Sequence, residues 1–264
     1  MLRAVHPAAA RWIGALIRMT APHPAMTAIL DVVEKLQDRP YRTNFVLLGE
    51  PGTGKEGLAR AFHHLTCPEG PLVRYDVAGF SDDDALEVLR GAGRKNGAAH
   101  QADGGTLLIE EAAGLGPRTQ GALIRLLKSG RIDGPHDGAA EDNGMGIAAP
   151  KGRLKVQAIA MSDRDLRDEV RAGRFRHDLY WRLARVVLTL PPLRERKEDI
   201  GPSAVWMGNR ILRAAGLPLE LMLSEDYRRA SPDERRHAVE LSADAIRALE
   251  EHAWPGNLDR KSVV

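Results

Sequence analysis

The chain has 264 residues, 43% hydrophobic and 28% charged, enough apolar material for one large α/β unit beside a smaller helical one and too much for a disordered segment. The 38 Lys and Arg against 36 Asp and Glu leave a net charge of +2, which by itself implies no nucleic-acid partner. A single cysteine, Cys67, excludes an internal disulfide and a cysteine-based metal cluster, and suits a reducing compartment in which it serves as a small buried apolar group.

Residues 1–23 read as an N-terminal extension. Its apolar run, 12–17, is too short to span a bilayer and lies between Arg11 and Arg18, so no membrane anchor and a cytoplasmic location are expected. Ile29, Leu30, Val33 and Leu36 then recur at helical spacing until Pro40. Phe45-Val46-Leu47-Leu48 predicts a buried parallel strand, followed by a glycine loop and a helix with Leu58, Ala59, Phe62 and Leu65 on one face. Further strands are expected at Leu72-Val73, Thr106-Leu107-Leu108-Ile109, Val156-Gln157-Ala158-Ile159-Ala160 and Val186-Val187-Leu188-Thr189-Leu190. Their alternation with helical stretches predicts a doubly wound parallel sheet sandwiched by helices. The glycine-rich segments 91–97 and 133–152 predict loops. After Arg194 the strand signals cease, and helical patterns over 200–214 and 243–251 predict a small α-helical lid, with 217–239 too charged and irregular to assign. The division expected is 24–193 for an α/β nucleotide-binding domain and 194–264 for the lid, with the boundary near Pro191-Pro192.

The loop after the first strand carries the densest chemistry. Gly49, Glu50, Pro51, Gly52, Thr53, Gly54, Lys55 and Glu56 have the G-x-x-x-x-G-K spacing between a strand and a helix. Glycines let the backbone N–H groups curl around phosphate oxygens, Lys55 reaches the β- and γ-phosphates, and the helix N-terminus adds a favourable dipole. An ordinary glycine turn with a solvated lysine is the alternative. Glu56 departs from the general pattern, which places a Ser or Thr hydroxyl there for magnesium.

Four further strings stand in a fixed order: Ala102-Asp103-Gly104-Gly105-Thr106-Leu107, Arg174-Phe175-Arg176-His177-Asp178-Leu179-Tyr180-Trp181-Arg182-Leu183, Pro191-Pro192-Leu193-Arg194-Glu195-Arg196-Lys197-Glu198-Asp199-Ile200, and Trp254-Pro255-Gly256-Asn257. With the 49–56 loop they resemble the central AAA+ domain of sigma-54-dependent transcriptional activators, over nearly the whole of 24–260, and that family itself carries Glu where Glu56 stands. The resemblance implies an AAA+ P-loop fold with a helical lid, ATP and Mg2+ as cofactors, and a ring, usually a hexamer, that hydrolyses ATP between subunits to remodel the sigma-54 RNA polymerase complex.

Residue by residue, Glu110 and Glu111 stand where the family has an Asp-Glu pair, implying that Glu110 holds Mg2+ through water and Glu111 activates the attacking water. A solvated acidic strand end is the alternative. The extra methylene of Glu110 shifts the carboxylate by about an ångström, a misplacement on the order of what can cost ~100-fold in rate. Arg176 and Arg182 match the arginines that the family inserts into the neighbouring subunit's active site; surface pairing with Asp178 is the bland alternative.

Three motifs depart from the pattern. Met161-Ser162-Asp163 puts Asp163 where the family has the asparagine that reads the γ-phosphate and water, and an anion there repels phosphate. Asn257-Leu258-Asp259-Arg260 puts Asp259 at the nucleotide-sensing arginine. Between Gly91 and Ala102 there is no Gly-Ala-Phe-Thr-Gly-Ala motif, the family's contact with sigma-54, while 133–152 exceeds the family's neighbouring loop in length; neutral length drift is the alternative for both. No DNA-reading element is visible in this segment. Three functions therefore stand: an ATP-driven regulator domain, a nucleotide-gated interaction module with little hydrolysis, and a remodeller of another partner through 133–152.

Overall fold

The computed structural model describes residues 24–38, 42–92, 96–132 and 153–257. The expected N-terminal extension, the 133–152 loop, Asp259 and Arg260 lie outside the described residues.

Helix α1 (Pro24–Asp38) turns Ile29, Val33 and Leu36 inward as their spacing predicts, with Met26 beside them, while Leu30 of the expected stripe is half-buried. Strand β1 (Phe45–Leu48) leads through the glycine loop into α2 (Lys55–Thr66), which buries Leu58, Ala59, Phe62 and Leu65. Next come β2 (Leu72–Asp76), α3 (Asp82–Arg90), the single turn α4 (Ala98–Gln101), β3 (Thr106–Glu110), α5 (Pro117–Ser129), β4 (Gln157–Ser162), α6 (Leu166–Arg171), α7 (His177–Leu183) and β5 (Val186–Thr189). Helix α3 starts where Ser81 Oγ accepts from the Asp84 N–H, and α5 ends at Gly130, φ 66°, the left-handed stop that glycine tolerates.

The five strands pair in parallel in the order β2-β3-β4-β1-β5. Successive residues of a strand face opposite sides, and both sides are covered. Val46, Leu107, Ile109, Ala158 and Ala160 join one core with α3, α5 and α7; Phe45, Leu47, Leu108, Ile159 and Met161 join the other with α1 and α2. In the second core Phe45 and Phe62 stack with ring centres 4.3 Å apart. Cys67 is buried, as expected, and its thiol donates to Gln157 Oε1.

From 194 onward two short 3-10 turns (Leu193–Glu195 and Lys197–Asp199) lead into α8 (Ile200–Ala214). Here the structure corrects the expectation that strands cease: β6 (Glu220–Leu223) and β7 (Ala238–Leu241) pair in parallel, Glu220 opposite Ala238 through Leu223 opposite Leu241. Around them lie α9 (Ser224–Arg229), α10 (Pro232–Arg235) and α11 (Ala243–Glu251). Each strand has four residues and none is fully buried, so neither leaves an apolar run to be read. The buried amide of Asn209 on α8 holds the ribbon, donating to Leu221 O and accepting from Leu221 N. Among the described residues no helix is long and apolar enough to cross a membrane.

Candidate functional site

The carboxyl ends of β1, β3 and β4 lie side by side in the sheet, and β1 stands where the strand order reverses direction, the place at which open α/β sheets bind ligands. Three of the expected groups meet at this edge: the 49–56 loop after β1, Glu110 and Glu111 at the end of β3, and Asp163 just past β4.

The loop is locked by its glycines. Gly49 sits at φ 147°, where a Cβ would come within 2.6 Å of Leu190 O, and Gly54 starts α2 at φ 103°. Gly49 N–H donates to Ser162 O, tying the loop to β4. Lys55 Nζ donates to the carbonyls of Gly49 and Glu50, curling back over the loop. Burial pushes the ammonium pKa down, while the Glu111, Asp163 and Glu50 carboxylates hold it up.

Glu111 adopts the left-handed conformation, φ 52° and ψ 45°, unusual for a non-glycine residue and a form of strain that collects at functional sites. Its carbonyl accepts from Gly114 N, which closes the turn. Burial raises the Glu111 pKa, Asp163 and Asp76 raise it further, and Lys55 and Arg164 oppose them. The Glu111 and Asp163 carboxylates thus both bear on the Lys55 ammonium, and Asp163 and Asp76 both bear on Glu111.

Glu110 is placed differently. Both its carboxylate oxygens accept from Arg74 of β2, Nε at 2.5 Å and Nη2 at 3.1 Å. A carboxylate committed in this way does not fit a magnesium shell as it stands. The only hint of Arg74 in the sequence is a charged residue in the middle of a short strand, two residues before Asp76, which pairs with Glu110 across the sheet.

Several residues of the recognised strings hold the loop from outside, a role that spacing alone does not assign. Arg194 donates two bonds to the Glu50 carboxylate, at 2.8 and 2.6 Å. Asn257, buried and left-handed at φ 52°, donates to Glu50 Oε2 and Pro51 O and accepts from Leu193 N. Arg196, 2% exposed, donates to Thr53 O at 2.8 Å and to Asp199 Oδ2 at 3.3 Å.

The Arg194 guanidinium holds the Glu50 pKa down to about 2, from an ordinary 4.5, with Asn257 and Lys55 adding to the effect against the cost of burial. A depressed carboxylate stabilises the fold fully above its unfolded value, near pH 4.5, and loses that contribution as pH falls towards 2. Glu50→Gln should therefore melt below the wild type at neutral pH, and the gap should close between pH 4.5 and 2. Melting curves across that range check it, and a gap independent of pH would rule out the charge as its source.

Neither of the two arginines expected in trans forms a bond to this loop among the described residues. Gln120, 1% exposed, fixes their segment by donating to Leu115 O and Arg174 O and accepting from Arg176 N. Arg176 pairs with Asp178 on the surface, so the alternative noted for it describes this single chain. The Arg182 Nε has no partner among the described residues. Trp181 between them, part of the same string but given no role by it, is 58% exposed.

Residues 19–189 match the model of the Sigma-54 interaction domain. The chain belongs to that family. It is 33% identical over 253 residues to the Nif-specific regulatory protein of Klebsiella pneumoniae, a match covering 92% of this chain and 42% of that protein. It is 32% identical over 260 residues to the nitrogen assimilation regulatory protein NtrX of Azorhizobium caulinodans, covering 94% of this chain and 50% of the relative. The chain thus spans half or less of the length of these relatives. The crystal structure of NtrX from Brucella abortus in complex with ATP superposes with a TM-score of 0.71 at 26% identity, covering 92% of this chain and 48% of that one. The sheet and its flanking helices are therefore those of the AAA+ P-loop fold, as the sequence led us to expect, in a domain of the kind found in sigma-54-type transcriptional regulators.

Proposed function

We propose that this domain binds ATP in the 49–56 loop and couples nucleotide binding and hydrolysis to assembly with copies of itself, as the AAA+ part of a transcriptional regulator. The observation that carries the reading is Lys55 bonded to the loop carbonyls, with its charge favoured by the carboxylate of the strained Glu111, an arrangement that supports phosphate binding and a base for water at one end of the sheet. The backbone amides and Lys55 hold the phosphates, and Glu111 orients water. Arg176 and Arg182, which form no bond to their own loop among the described residues, serve the loop of a second copy in this reading, where a guanidinium that stays charged stabilises the departing phosphate.

The magnesium implied by the family is not assigned a step, since Glu110 is held by Arg74. Direct remodelling of sigma-54 is not part of the reading either, because the 91–102 segment lacks the Gly-Ala-Phe-Thr-Gly-Ala motif.

ATP turnover by the purified chain, measured over a range of protein concentrations, tests this. Specific activity that rises with concentration supports arginines acting between copies; activity independent of concentration removes them.

A second reading, a nucleotide-gated module with little hydrolysis, is favoured by Asp163, whose negative charge bears on both Lys55 and Glu111. It predicts nucleotide binding with scarcely any turnover, and at least a tenfold gain, on the order of one misplaced charge, from Asp163→Asn together with Glu110→Asp. No gain in the double variant would count against it.

A further inference from the structure

In P-loop proteins the residue after the loop lysine and the first carboxylate of the strand-end pair converge on magnesium. In this chain those positions are Glu56 and Glu110, and they converge on a side chain. Arg74 Nε and Nη2 donate to Glu110 Oε1 and Oε2 at 2.5 and 3.1 Å, and Arg74 Nη1 lies 4.0 Å from Glu56 Oε1. Arg60 reaches the same Glu56 oxygen from its other side at 2.6 Å.

We propose that the guanidinium of Arg74 takes the place of the divalent cation, so that this site binds nucleotide independently of magnesium. The inference rests on the nucleotide-binding reading above and narrows the form of ligand the site accepts.

The strand register explains how Arg74 gets there. Its Cα is opposite Leu108 and that of Asp76 is opposite Glu110, so Arg74 and Glu110 are diagonal neighbours on one face of adjacent strands, within reach of a long side chain. The planar fork of a guanidinium matches a carboxylate with two parallel bonds, a geometry that an ammonium could not supply. The Glu110 side chain is 17% exposed, so the pair is sheltered from water on its acidic side. A hydrated divalent cation brought between Glu56 and Glu110 would be repelled by the guanidinium already there and would have to share both Glu110 oxygens with it. The positive charge that a triphosphate needs at this edge is present without one, as Lys55 in the loop and Arg74 beside it.

Removing Arg74 reverses the balance. Glu56 and Glu110 would then face the phosphates as anions with one cation fewer, and an added divalent ion would be required to bridge them.

Binding of a fluorescent N-methylanthraniloyl ATP to the whole chain, titrated in magnesium and in EDTA, tests the inference with the wild type, Arg74→Gln and Arg74→Ala. Wild-type affinities in the two buffers should agree within about threefold, while each variant should lose about tenfold or more in EDTA, as expected for removal of one close charge. A wild type that loses tenfold or more in EDTA would overturn the inference and leave nucleotide binding standing. Variants as indifferent to magnesium as the wild type would overturn the role given to Arg74. No binding in either buffer would sink the nucleotide-binding reading and this inference with it. Because Arg74 is half exposed, the Gln variant should still fold, which its melting curve checks, and the wild-type comparison decides the main point with no substitution.

Discussion

Asp199→Ala is expected to cost about 3–5 kcal/mol of stability, the penalty for leaving a buried charge without its partner. Asp199 is 0% exposed and Arg196 2% exposed, and they pair at 3.3 Å beneath the 49–56 loop. Burial depresses the Arg196 pKa and Asp199 opposes that shift, so the carboxylate offsets the cost of holding a guanidinium out of water. Without Asp199, Arg196 must swing out to solvent or stay unpaired, and in either case its bond to Thr53 O weakens. A fall in Tm of about 10 °C would register the loss. Arg196→Met combined with Asp199→Ala should recover most of it, since replacing both members of a buried pair with apolar groups is often nearly neutral. The double variant should nevertheless bind nucleotide less well than the wild type, because Thr53 O has lost its donor. A single Asp199→Ala variant that melts with the wild type would show that the pair is not what holds this region.

Lys55→Ala should lower nucleotide affinity by about 100-fold, the equivalent of one or two charge-assisted hydrogen bonds to phosphate, with little loss of stability. The ammonium is partly desolvated and its internal bonds are to two carbonyls of its own loop, so the apo fold gives up little when it is removed. Calorimetric titration with ATP beside a melting curve separates the two effects. Affinity within a few-fold of the wild type would place the phosphates elsewhere and remove the 49–56 loop from the proposed function.

The parts of this architecture that can be read from sequence are those written in strictly local patterns. The central strands β1, β3 and β4 are short runs buried on both faces, and the loop is legible because G-x-x-x-x-G-K needs glycine at fixed offsets. The ribbon of β6 and β7 is not legible, because its residues are half exposed and its partner strands are separated by two short charged helices. Arg74 and Asn257 illustrate a second limit. Each acts on a residue far along the chain, Glu110 for one and Glu50 for the other, and no periodicity encodes such a pairing. Motif reading likewise finds the string around Arg194 and Arg196, but it cannot say that their guanidinium groups reach residues 50 and 53.

The direction of those contacts has a consequence for the loop itself. Asn257 takes the Pro51 carbonyl and Arg196 takes the Thr53 carbonyl. No peptide among the described residues is cis, so each N–H points opposite to the carbonyl of its own peptide plane. Drawing the oxygens of residues 51 and 53 outward therefore turns the N–H groups of Gly52 and Gly54 to the opposite side, away from the residues that hold the carbonyls. The region after residue 190 grips only the acceptor side of the loop backbone and leaves these two donors for an anion, so it orients a binding surface that it does not itself touch.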